Sequence, residues 1–169
     1  HPDDVPELMR RSDILVLPDP ALFLASLRGE RASRRRDRAG RLHVRLNLAL
    51  HGPRSETLLR HNLVTLASAF RDYQKESGCR YSYFIHSEAE WKAADLLSRA
   101  GVELDVVSGG PDELIARYRD LSFHVCQMLH SSILAMSTDC PTIALAYDVR
   151  SLSFFQLMGL DPYCASADG

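Results

Sequence analysis

Residues 121–150 read Leu-Ser-Phe-His-Val-Cys-Gln-Met-Leu-His-Ser-Ser-Ile-Leu-Ala-Met-Ser-Thr-Asp-Cys-Pro-Thr-Ile-Ala-Leu-Ala-Tyr-Asp-Val-Arg, and this stretch decides the fold. Leu121 to Val125 is a short, mostly apolar run. His130 to Met136 groups Ile133, Leu134 and Met136 as a short buried helix does. The step Asp139-Cys140-Pro141 ends that helix, because proline lacks an N–H and clashes with the preceding turn. Pro141 to Tyr147 is almost wholly apolar, the pattern of a strand buried on both faces. Asp148 stands where a helix N-cap belongs, and the next helix, Leu152 to Met158, is closed by Gly159. The stretch is strand, helix, strand, helix.

The chain upstream repeats the same unit. Residues 42–50 alternate, with Val44, Leu46, Leu48 and Leu50 facing one way and Arg45 and Asn47 the other. That alternation predicts a strand with one face less covered. His51-Gly52-Pro53 turns the chain into a helix over 55–77, whose Leu59, Leu63, Leu66, Phe70 and Tyr73 form one stripe, and Gly78 ends it. Arg80 to Ile85 is the second strand. Ser87 and Glu90 form a capping box for a helix that runs to Ala100. Val102 to Val107 is the third strand, Gly109-Gly110 a flexible turn, and Pro111 the first residue of a helix that reaches Tyr118. Strand and helix thus alternate five times. The fold class this predicts is α/β, a Rossmann-like parallel sheet with helices on both faces. The turns after the strands then share the carboxyl edge, where ligands of such sheets bind.

Composition narrows the function. The 169 residues are 46% hydrophobic and 25% charged, the balance of a globular protein. A net charge of -2 argues against a nucleic-acid binder. No apolar run approaches the roughly 20 residues of a membrane span. Cys79, Cys126, Cys140 and Cys164 show neither paired nor metal spacing, which suits the reducing cytoplasm, and Cys126 and Cys140 read as small core residues. Residues 28–41 hold seven arginines between Gly29 and small or acidic residues, a charged linker between an N-terminal piece, 1–27, and the α/β domain, 42–169. The sharper reading of that run is a clamp for an anionic polymer or a peripheral membrane contact.

His51 and His86 each end a strand, and His130 opens the helix after another, so a parallel sheet brings all three to one edge. His124, inside an apolar run, reads as a packing histidine. No short spacing supports a metal site. His130 stands out because free backbone amides and the helix dipole favour an anion beside it, and imidazole moves protons near neutral pH. Ser131 and Ser132 add donors, and Arg150 at the next helix start can fork onto a phosphate or carboxylate.

These residues also carry a resemblance. Met128-Leu129-His130-Ser131, Ile133, Ala135, then Pro141, Ile143, Leu145, Tyr147-Asp148, Arg150, Phe154 and Gly159-Leu160 resemble a segment of the polysaccharide pyruvyl transferases. The run Pro18-Asp19-Pro20-Ala21-Leu22 is similar to the junction between that family's two halves. The resemblance implies the C-terminal half of a two-domain, GT-B-like transferase, with residues 1–27 as the tail of a preceding half. It implies transfer of pyruvate from phosphoenolpyruvate to two saccharide hydroxyls, with a saccharide or lipid-linked saccharide as acceptor and no cofactor. It casts His130 as the acid or base, and Arg150, His51, Leu129, Ser131, Asp148 and Tyr147 as substrate-binding residues. Met128 stands where the family has arginine, Arg150 where it has lysine, and His51 where a second arginine is expected. The loss of one ion-assisted hydrogen bond weakens donor binding by about tenfold to a hundredfold.

Two other readings fit the same residues. A glycosyltransferase with a nucleotide-sugar donor would use Glu90 or Asp148 to hold a ribose. A non-catalytic binding module of the same fold would explain Met128 and His51.

Overall fold

The computed structural model describes Ala21 and residues 42–48 and 52–166. The N-terminal piece, the Arg-rich linker and His51 lie outside the described residues. The domain boundary expected near residue 27 falls there too.

Among the described residues, six strands form one sheet, and every neighbouring pair is parallel. They are β1 (His43–Asn47), β2 (Arg80–Ile85), β3 (Leu104–Ser108), β4 (Phe123–Cys126), β5 (Thr142–Ala146) and β6 (Cys164–Ser166). The helices between them are α1 (Gly52–Ser77), α2 (Glu88–Arg99), α3 (Pro111–Tyr118), α4 (Leu129–Ser137) and α5 (Val149–Leu157). A 3-10 turn, Asp161–Tyr163, leads into β6. The strand order is β3-β2-β1-β4-β5-β6. This is a Rossmann-like sheet, and its order reverses between β1 and β4.

Parallel strands need crossovers, and right-handed crossovers sort the helices by face. One face of β1 and β2 presents Val44, Leu46, Leu48, Tyr81, Tyr83 and Ile85 to α1 and α2, which contribute Ala67, Ala93, Ala94 and Leu97 to the same core. The opposite face packs Phe84 against Leu114 and Tyr118 of α3 and Ala135 of α4. Leu63, Leu66 and Phe70 of the α1 stripe meet the core, whereas Tyr73 is half-exposed and the Leu59 side chain lies outside the described residues.

Local signals explain the element ends. Asp148 Oδ1 accepts from Ser151 N at 2.9 Å, the N-cap of α5. Gly159 closes that helix at φ +67. α4 ends in a Schellman motif, with Cys140 N bonded to Ala135 O and Asp139 N to Met136 O, both at 3.0 Å. The left-handed residue of that motif is Asp139, φ 56, where a glycine would be easier.

Three expectations need correction. Arg45 and Asn47 are not on a less covered face, for both are fully buried. β5 is not buried on both faces, because Thr142, Ala144 and Ala146 are buried while Ile143 and Leu145 are only partly so. The sheet also has a sixth strand, three residues long, too short to show a period.

Candidate functional site

The turns after β2, β4 and β5 meet at the carboxyl edge, beside the point where strand order reverses. β1 and β4 are joined there by Gln127 N to Asn47 O at 2.8 Å. After β4, Met128 is the N-cap of α4, with no side-chain cap, and Leu129 and His130 are its first residues. Leu129 is half-buried and His130 exposed. The adjoining Ser131 is buried, and its hydroxyl lies 2.9 Å from His124 Nε2 and 3.2 Å from the Tyr118 hydroxyl. Ser131 therefore packs α4 onto the sheet and does not face solvent beside His130. Ser132 is also buried, 2.9 Å from Cys126 Sγ.

After β5, Tyr147 is half-buried and its hydroxyl reaches Met128 Sδ at 4.0 Å, so the two turns touch. Arg150 is exposed at the start of α5, but its fork already holds Asp148 Oδ2, at 2.9 Å from Nε and 2.7 Å from Nη2. Burial pushes the Asp148 carboxyl up, yet the Ser151 amide and Arg150 outweigh it and hold the carboxyl below its usual range. Any anion gripped by Arg150 shares the guanidinium with Asp148. Burial, then the Asp148 charge, pushes the Tyr147 phenol up. The strands that carry these turns are hydrogen-bonded neighbours, about 4.8 Å apart. His130 and Arg150 thus open onto one edge. They do not line either of two hollows among the described residues. One, about 420 Å³, lies between Gly78 and Asp105, and the other, about 450 Å³, is an apolar groove at Phe70, Tyr81 and Phe123.

A second polar group lies beneath the same edge. Arg45 of β1 is opposite Ser82 of β2 and His124 of β4, so the three share a face. The Arg45 guanidinium is sandwiched between the rings of Phe84 and Tyr118, at 4.2 and 3.9 Å. Its Nη2 lies 3.2 Å from His86 Nε2. His86 Nδ1 lies 3.1 Å from Glu90 Oε1, which also accepts from Asn47 Nδ2 at 2.7 Å. Glu90 Oε2 accepts from the amides of His86 and Ser87, the latter at 2.8 Å. Burial pushes the Glu90 carboxyl up, but the bonds from His86 and Asn47 and the His86 amide together draw it down to about 2. Burial lowers Arg45 to about 9. Burial, reinforced by the Arg45 charge, keeps His124 well below the usual imidazole range. Cys126, on the same face, is pushed up to about 12 by burial.

Glu90 and Asp148 have both carboxylate oxygens hydrogen-bonded within the protein. The sequence shows Glu90 as a capping residue and as a candidate to hold a ribose, and neither reading points to Asn47 or His86. The signal for the rest was Arg45 in the middle of a strand, since a parallel sheet covered on both faces leaves a mid-strand arginine nowhere wet to go.

Among the described residues, no group of three or more metal-ligating side chains comes together, and no helix is long and apolar enough to cross a membrane. A family model, polysaccharide pyruvyl transferase, matches residues 7–149. No curated protein matches the chain.

Proposed function

This chain belongs to the polysaccharide pyruvyl transferase family, a transferase family, and on that premise we propose that it transfers pyruvate from phosphoenolpyruvate to two hydroxyls of a saccharide or lipid-linked saccharide. One observation carries the reading. His130 is exposed on the first turn of α4, at the carboxyl edge and one strand from Arg150.

The chemistry asks for three things. The enol carbon must gain a proton, the two hydroxyls must lose theirs, and a trianionic donor must be held. His130 gives its proton to the enol carbon, and C2 becomes electrophilic. The first hydroxyl adds there, phosphate leaves, and the second hydroxyl closes the ketal. Of the two hydroxyl protons, one restores His130 and the other departs with phosphate. The amides at the start of α4 and the Arg150 guanidinium bind the donor's anionic groups. Leu129 and Tyr147 shape the edge around it, Asp148 orients Arg150, and Ser131 acts from below by fixing α4. His51, which precedes α1 in the sequence, is the remaining candidate for the donor.

The donor is a substrate, and the reaction as proposed needs no cofactor. The four free cysteines fit a cytoplasmic reaction. In the GT-B-like arrangement that the family resemblance implies, the choice of acceptor depends on a second α/β half.

Phosphate release from phosphoenolpyruvate, measured with a panel of saccharide acceptors, tests this. His130→Ala is expected to lower it by at least about a hundredfold, the usual worth of a positioned acid or base. Undiminished release from His130→Ala contradicts the assignment.

A further inference from the structure

The Arg45 guanidinium is the least well explained group in the molecule. It is 0% exposed, yet among the described residues Nε and Nη1 have no hydrogen-bond partner, and neither does Asn47 Oδ1 on the same strand. Buried polar atoms left unpaired in a native fold usually meet water or an ion. The location narrows this further. Arg45 is paired in register with Ser82, four residues before His86. Four residues of strand span about 13 Å. Because Nη2 still comes within 3.2 Å of His86 Nε2, the arginine runs along the strand to the carboxyl edge. Among the described residues, His86, whose side chain is 29% exposed, links that guanidinium to the solvent side of the edge.

We propose that Arg45 is the floor of a small-oxyanion site at the β1–β2 carboxyl edge, and that His86 is the gate that fills it when no anion is bound. In the closed state His86 accepts from Arg45 at Nε2 and donates to Glu90 at Nδ1. The bond to Glu90 holds the ring at the gate, and the short stem of histidine lets it swing outward. An entering phosphate then takes Nη2, which His86 has released, together with one adjoining unpaired donor of the guanidinium, and its P–OH donates to Asn47 Oδ1. The aromatic sandwich of Phe84 and Tyr118 keeps the guanidinium plane fixed, so the receptor is preorganised. The site does not rest on the pyruvyl-transfer reading, since inorganic phosphate suffices to occupy it.

Calorimetric titration of the full chain with inorganic phosphate, and in parallel with phosphoenolpyruvate, tests the proposal. His86→Ala removes the gate and is expected to tighten phosphate binding by about tenfold, the worth of one ion-assisted hydrogen bond. Arg45→Gln is expected to weaken binding by at least as much, with circular dichroism checking its fold. Should Arg45→Gln fail to fold, His86→Ala decides alone. Unchanged or weaker phosphate binding in His86→Ala overturns the gate, and phosphate binding that Arg45→Gln leaves intact overturns the floor. Phosphate binding with no response to phosphoenolpyruvate leaves this site standing and counts against the proposed reaction.

Discussion

The two faces of β1 are equally dry and chemically opposite. Val44, Leu46 and Leu48 meet α1 and α2 in an apolar core. Arg45 and Asn47, one residue away in each case, enter a network with His86 and Glu90 on the other side. The apolar face gains from burial in proportion to area and has no preferred partner. The polar face gains only if each group finds its mate, because a buried charge without one is expensive. The first face therefore holds the sheet together, and the second fixes where the carboxyl edge sits. That edge is where His130, Arg150 and His86 are presented.

Single truncations separate the two faces. Glu90→Ala removes the carboxylate that answers Arg45 through His86, and is expected to cost about 3–5 kcal/mol, the usual penalty for stranding a buried charge. Leu46→Ala, on the apolar face, is expected to cost about 2–5 kcal/mol from lost transfer and cavity terms. Urea unfolding measures both. A Glu90→Ala cost under about 1 kcal/mol would mean that the polar face is not a linked network.

Acid acts on one face only. The Glu90 carboxyl titrates near 2 in the fold and near its ordinary value, about 4.3, once unfolded. The unfolded chain therefore binds more protons between those values. The stabilisation is fully present above about 4.3 and is lost as pH falls towards 2. Thermal melts from pH 6 to pH 2 should show this acid limb, and Glu90→Gln should flatten it. A limb of equal steepness in Glu90→Gln would assign it to other carboxylates.

The smallest effect belongs to a position that touches neither face. Asp139 closes α4 at positive φ. Asp139→Gly should stabilise the fold by about 1 kcal/mol or less by relieving the left-handed residue, and the melting temperature reads it directly. A loss of stability would mean that the Asp139 side chain contributes more than its conformation costs.

The order of elements was legible because each boundary has a local cause. Asp148 caps α5, Gly78 and Gly159 end helices at positive φ, and Pro111 opens α3. The edge positions of His130 and Arg150 followed from the alternation of strands and helices alone. What the sequence could not convey was pairing across the sheet. Arg45 meets His86 41 residues away. A period of two says that Arg45 and Leu46 part company, but not whether water or another helix awaits the arginine. Nor did spacing reveal that Ser131 turns inward to His124 and Tyr118, since a helix start shows its face only once the helix is docked.

Backbone amide NMR during a titration with millimolar phosphoenolpyruvate tests the central claim most directly. The account predicts that the largest shifts fall on the starts of α4 and α5, at His130 and Ser131 and at Val149 and Arg150. Shifts confined to the apolar groove at Phe70, Tyr81 and Phe123, or no shifts at all, would contradict it.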